Sequence, residues 1–516
     1  MIKLKLLLAA SSVAMAAPAG AAWQQASSKH FIIYGDMPAA EMKDYAEKLE
    51  KFDAAARLIR SMPDPVVGDG NRVQVLVVSS MLDVNRLYGH AEAGVGGYYM
   101  GLVSGPIIVT PQKIRRLNTR TDKIDPEVVF FHEYTHHLQL QSTNKPMPSW
   151  LSEGFAEFMG NPVFGEDGSI GIGAPNTTRA EQLLKERWAP IGDLLEGNAY
   201  KLGYAGFSHQ NYAQGWLLNH YLAFEPSRKG QIEKYVKGIE SGQNALVAAK
   251  AAFGDLGELE GQLRNYLKRK SLPYVKIDSS KLTIPPVTIT QLPAGAQEVM
   301  PLRFHAKTGY RSVSIDSVAG KVRQIAKRYP EDLMVQRTLA EVEFDAENFD
   351  AAIAAADAAL KIDPKSTEAL IYRGRGLLAK AKKAKDAALF AQARKQFLAA
   401  NKIDPEDPEP LYLYYRTYRA ANLPAPKQAI DALHYATVLA PRDYYPAIQL
   451  VTEHLRQNNL KAAGEALKPL AYLPHAGQTR QNDALKVLEL IEAGQGPAAL
   501  ALAQKELFPK KDEDPN

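Results

Sequence analysis

No cysteine occurs in the 516 residues. Its absence excludes disulfides, a thiolate-held metal, a cysteine nucleophile and a lipid-modified cysteine at a leader junction. Excess charge is missing too: 62 Lys and Arg stand against 57 Asp and Glu, a formal net charge of +5. So slight a balance points to neither nucleic acid nor an anionic membrane as a partner. Long apolar runs are scarce. One run, from Leu6 to about Ala17, follows Lys3 and Lys5 and precedes the small residues Ala19 to Ala22. It is short for a hydrocarbon core of about 30 Å, and residues 1–22 are expected to be a cleaved secretory leader. Its loss would leave +3 and no integral membrane segment in the mature chain, with a periplasmic or secreted location.

What is present is the composition of a globular protein, 46% hydrophobic and 23% charged, at a length that calls for more than one core. Residues 23–270 carry a mixed pattern. "HFIIYG" (30–35) and "VQVLVVSS" (73–80) predict strands, and residues 38–62 space their apolar side chains as a helix does. "GVGGYYMGLVSGPIIVTP" (94–111) predicts strand or hairpin, its glycines marking close approach of another backbone. Beyond it the pattern is mostly helical. Residues 271–317, rich in Pro, Thr and Val, are expected to be a linker with short strands.

The last third repeats. Pro330, Pro364, Pro405, Pro441 and Pro474 are spaced by 34, 41, 36 and 33 residues, and Ala352, Ala393, Ala429 and Ala462 stand twelve before the last four. Ala359, Ala400 and Ala436 recur five before theirs. Small residues let the helices of a hairpin approach, and proline ends the second one. A period near 34 resembles the tetratricopeptide repeat, which implies an all-α solenoid over residues 318–505 that binds a protein partner or substrate. The family's aromatic residue is absent at Glu343, and "KKAKDAA" lengthens one repeat. Residues 506–516 are expected to be a disordered tail.

The chemistry centres on "FFHEYTHHLQL" (130–140). His132 and His136, four apart on a helix, share one face and can hold one metal ion, with Glu133 between them. A second helical stretch, "PSWLSEGFAEFMGNP", carries Glu153 and Glu157 on one face. If "STNKPMP" turns the chain back antiparallel, a rise of about 1.5 Å per residue brings Glu153 level with His136 and Glu157 level with His132. Glu153 could then be the third ligand, and Glu157 the acceptor that orients a ligand imidazole. His137 points off the ligand face and is expected to be an ordinary hydrogen-bonded histidine.

"HEYTH" followed by "WLSEGFAEF" resembles the gluzincin metallopeptidases, the thermolysin and aminopeptidase N superfamily. The resemblance implies an α+β zincin-like domain, one Zn2+ held by His132, His136 and Glu153, and hydrolysis of a peptide or protein substrate with Glu133 as general base. "NYAQGWLLNHYL" (211–222) is similar to the family's Y-x-x-G segment, which implies that Tyr212 stabilises the oxyanion, with His209 as the substitute. Aminopeptidases of this branch place a G-x-M-E-N stretch before the zinc helix. The corresponding "GGYYMGLVSG" has no Glu, so exopeptidase specificity is not implied, although Gly97, Tyr98 and Tyr99 are candidates to pair with an extended substrate. Two other functions fit the same residues: an inactive zincin-like scaffold for envelope proteins, and a zinc hydrolase of non-peptide bonds.

Overall fold

A computed structural model describes residues 22–91, 95–112, 126–142, 147–196, 210–471 and 478–508. The expected leader through residue 21, Asp125 before the "FFHEYTHHLQL" stretch, His209, Pro474 and residues 509–516 lie outside them.

The N-terminal half is built on a mixed six-stranded sheet in the order β4-β5-β3-β2-β1-β9. The strands are β1 (Gln24–Ser27), β2 (Phe31–Gly35), β3 (Val73–Val78), β4 (Tyr98–Leu102), β5 (Gly105–Pro111) and, much later, β9 (Thr288–Gln291). The β2–β3 and β3–β5 pairs are parallel and the rest antiparallel. A second, three-stranded sheet joins β6 (Val163–Phe164), β7 (Ile170–Ile172) and β8 (Val275–Ile277).

Strand alternation assigns the two faces of the large sheet to different helices. Phe31, Ile33, Val73, Val75, Val77 and Ile108 pack against α1 (Ala39–Arg60) and α3 (Pro126–Ser142). The opposite side chains, Tyr34, Leu76, Val78, Tyr98, Ile107 and Val109, pack against α2 (Met81–Tyr88) and against α11 (Ala294–Lys307). Between α3 and α11 the chain runs through α4 (Ser149–Met159), α5 (Thr177–Lys185), α6 (Ile191–Glu196), α7 (Gln210–Phe224), α8 (Gln231–Glu240), α9 (Ala245–Phe253) and α10 (Leu256–Leu267).

The short strands expected at 271–317 are present and are built into the two sheets. Strand β8 pairs with β7, β9 pairs with β1, and α11 covers the sheet. Composition suggested a linker because the strands are short and Pro-flanked; pairing partners more than a hundred residues distant make them structural.

From α11 onward the described chain is helical. It continues through α12 (Ile315–Arg328), α13 (Leu333–Asp345), α14 (Phe349–Ile362), α15 (Thr367–Ala384), α16 (Ala387–Ile403), α17 (Pro408–Ala420) and α18 (Lys427–Leu439). The array ends with α19 (Tyr444–Arg456), α20 (Leu460–Ala471), α21 (Gln478–Glu492), α22 (Gly496–Leu502) and a π-turn at Ala503–Leu507. Pro330, Pro364, Pro405 and Pro441 each follow the second helix of a pair, as the repeat requires. Ala352, Ala359, Ala393, Ala400, Ala429 and Ala436 are fully buried at the crossings. In the last pair the buried residue is Ala463, not Ala462, so the register there slips by one.

The missing aromatic has a physical substitute. Glu343 is buried and accepts from Arg323 Nη2 at 2.7 Å and Asn348 Nδ2 at 2.9 Å. The inserted residues lengthen α15 and α16 to 18 and 17 residues, with Lys385 left-handed at φ 53° between them and Asp386 capping the second.

Candidate metal centre

Helix α4 returns antiparallel beside α3. Gln139 Nε2 donates to the Ser152 carbonyl at 3.2 Å near one end. At the other, a Cβ on Gly160 would stand 3.2 Å from His132 Cα. This register sets His136 beside Glu153 and His132 beside Glu157. The Nε2 atoms of His132 and His136 are 3.2 Å apart, and Glu153 Oε2 is 3.4 Å from each. Donors about 2.0–2.1 Å from a tetrahedral ion stand about 3.3–3.4 Å from one another. The triangle therefore has the dimensions, and the two-imidazole, one-carboxylate chemistry, of a catalytic zinc site with one position open.

The other imidazole nitrogens are held away from the triangle. His136 Nδ1 lies 3.0 Å from Gln139 Oε1, and Ser152 Oγ donates to the same oxygen at 3.2 Å. His132 Nδ1 lies 3.4 Å from Glu157 Oε1. Glu157 in turn accepts from Asn176 Nδ2 at 2.9 Å and from Arg179 Nη2 at 2.6 Å. Asn176 also caps α5, so one short helix delivers both donors. Such outer partners fix ring orientation and raise ligand basicity. Burial alone would push the Glu157 carboxyl up; the bonds from His132 and Arg179 hold it down at about 2. Burial opposes charge on His132, yet Glu153, Glu157 and Glu133 outweigh it and raise that imidazole to about 10. The site is thus strongly cation-attracting.

Why α4 comes so close to its neighbours is written in two glycines. Helix α7 crosses α4 where a Cβ on Gly154 would stand 2.2 Å from the Gly215 carbonyl carbon, and one on Gly215 2.5 Å from the Trp150 carbonyl oxygen. This backbone-to-backbone contact carries Tyr212, one turn before Gly215, to the metal centre. The Tyr212 ring lies 5.9 Å from that of His132 at 24°, with the Arg179 guanidinium 5.3 Å from its centroid. Glu133 is half-buried on the side of α3 toward the hairpin β4–β5, where its charge acts on Tyr99.

The candidate substrate residues divide. Strand β4 is an edge of the large sheet. Tyr99 faces α3, its hydroxyl 2.9 Å from His137 Nδ1. Gly97 is where a Cβ would meet Val129 at 2.6 Å, so it serves the packing of α3 on the strand. Tyr98 is a correction: it points to the opposite face, buried with Ala296, Met300 and Phe304, and cannot touch a substrate on the α3 side. His137 is hydrogen-bonded, as expected, and stacks on Tyr134 at 5.4 Å; burial and the nearby Arg57 and Arg442 lower it to about 3.

A second cluster, His30, Glu50 and Asp53, also gathers possible ligands. Its oxygens are taken by internal donors: Arg57 Nε donates to Asp53 at 2.8 Å, Tyr134 Oη donates to Asp53 at 2.6 Å, and His30 Nδ1 lies 2.7 Å from Glu50. It ties α1 to α3.

Sequence reasoning missed Gln139, Asn176 and Arg179. Gln139 carries a readable signal, a polar residue three after a ligand histidine on the same face. The other two arrive by tertiary packing alone.

No family model matches the sequence, and no curated protein is similar to it. Among solved structures, MamA from Desulfovibrio magneticus RS-1 is 19% identical, aligning with 35% of this chain and 96% of its own at a TM-score of 0.28. Yeast Tom70 is 14% identical over 75% of this chain and 79% of its own, at 0.27. Both are tetratricopeptide-repeat proteins. At such scores the likeness carries no argument.

Proposed function

We propose that the chain is a zinc-dependent metallopeptidase of the gluzincin kind, periplasmic or secreted, with a zincin-like domain joined to a tetratricopeptide array that binds a protein partner. The observation that carries the reading is the triangle of 3.2, 3.4 and 3.4 Å formed by His132, His136 and Glu153. A zinc ion bound there supplies Lewis acidity toward water and a substrate carbonyl. Glu133 takes the proton of the attacking water and returns it to the leaving nitrogen. Tyr212, stacked against His132, offers its hydroxyl to the carbonyl oxygen as negative charge develops. Glu157, Asn176 and Arg179 hold the His132 ring in place, and Gln139 holds His136.

The repeat array favours a second reading, a scaffold for envelope proteins whose metal domain has no turnover, since stacked helix pairs of this kind are binding surfaces. One comparison separates the two. The peptidase reading expects stoichiometric zinc and chelator-sensitive cleavage of a mixed peptide library. Glu133→Gln should then keep its zinc and lose about 10²–10⁴ in rate. A purified protein with zinc but no cleavage would support the scaffold.

A further inference from the structure

The repeat array reaches Tyr99, whose hydroxyl meets His137 on α3, through a residue that the chemistry above does not use. Arg442 lies in the turn between α18 and α19, and its guanidinium carbon is 5.2 Å from the centroid of the Tyr99 ring. Backbone contacts fix that approach. A Cβ on Gly101 would stand 2.5 Å from Arg442 Cβ, the Val103 N–H donates to Asp443 Oδ2 at 2.7 Å, and Asn71 Nδ2 donates to the Leu439 carbonyl at 3.3 Å. The space left between the turn and the strand is about 10 Å³, room for a single water at most. The turn is seated on the Gly101 end of β4 and closes that end of the strand.

Charge decides what a closed end can hold. Among the described residues, no carboxylate forms an ion pair with Arg442, although the charges of Glu133 and Glu153 reach it. Glu153 is engaged with both imidazoles, and Glu133 is the proton carrier. A half-buried guanidinium without its own anion is costly, and its planar fork of donors matches a carboxylate in two parallel bonds. An extended chain lying along β4 would bring one within reach.

We propose that Arg442, supplied by the repeat array, is a specificity-determining residue that binds a substrate carboxylate beside the scissile bond. The inference rests on the peptidase reading. Two sources present the group, a free C-terminus and an Asp or Glu side chain. Full-length protein is therefore given two matched peptide pairs, one C-terminal acid against its amide and one internal Asp against Asn. Cleavage is measured with zinc bound, and equilibrium binding of fluorescent versions is measured on chelator-stripped protein. Wild type should favour the acidic member of at least one pair by roughly tenfold in both measurements, and the pair that responds identifies the source. Arg442→Gln should abolish the preference while handling the neutral peptides as wild type does, which also reports that the variant folds; Arg442→Lys should retain part of it. Equal handling of both pairs by wild type, or a loss in Arg442→Gln shared by the neutral peptides, overturns the proposal. Chelator-sensitive cleavage without charge preference removes Arg442 and leaves the peptidase. Arg442-dependent binding without cleavage leaves the anion site and removes the peptidase.

Discussion

His30 shows how a single buried residue sets pH dependence. Burial opposes its charge, but Glu50, Asp53 and Asp64 more than compensate, so its folded pKa lies above the ordinary 6.5. A raised imidazole contributes stability that is complete below the unfolded pKa and fades as pH rises through the folded value. Wild type should therefore exceed His30→Gln in denaturant midpoint most at pH 5.5–6, by an amount that shrinks on the alkaline side; a gap independent of pH would mean that folding leaves the His30 pKa unchanged, and one that grows with pH that His30 is neutral in the fold. At this scale the convergence of the candidate triad was legible, because helical spacing fixes His132 and His136 on one face and Glu153 lies on the next helix. The residues that orient the imidazoles were less so. Gln139 sits within the same helix, but Asn176 and Arg179 reach Glu157 from α5, beyond β6 and β7, and no local pattern announces them.

Among elements, the crossing of α4 and α7 has the greatest consequence. Gly154 and Gly215 each looked like an ordinary part of a motif, yet they let two backbones touch. Gly215→Ala should cost about 1–3 kcal/mol of stability through overpacking and lower zinc occupancy by separating Tyr212 and Glu153 from α3. Gly261→Ala in α10 is the control: nothing lies within 4 Å of its added methyl, and the gain in helix propensity should leave stability equal or higher. Thermal melts with metal analysis check both. Strand β4 marks a limit of sequence reading. Its strand or hairpin character was legible from "GVGGYYMGLVSGPIIVTP", but which tyrosine faces α3 depends on strand parity, and that is settled only by the partner β5. Likewise β8 and β9 are too short to declare themselves without their distant partners.

At the scale of the whole molecule, the sequence suggests two separable units, and the structure joins them. Asp404 Oδ2 accepts from the Gly70 N–H at 2.9 Å, Asp443 accepts from Val103, and Val103 packs among the buried residues of the array. A polar cavity of about 470 Å³ lies between Gln25, Tyr34, Arg72 and Gln74 on one side and Arg303, Lys307, Arg337 and Glu368 on the other. The inner surface of the early repeats therefore looks on to the chain's own sheet. Truncation after residue 317 should yield a protein that melts lower than the full chain and aggregates, because it uncovers Val103 and the loop at Gly68–Asn71; a soluble truncation with unchanged melting would show that the docking adds nothing.

X-ray absorption at the zinc edge of the purified full-length protein bears most directly on the metal centre. One zinc per chain, with two imidazoles and a carboxylate oxygen at about 2.0–2.1 Å and one imidazole fewer in His136→Ala, is the expected result. Zinc absent, or held with no histidine in its shell, would contradict it.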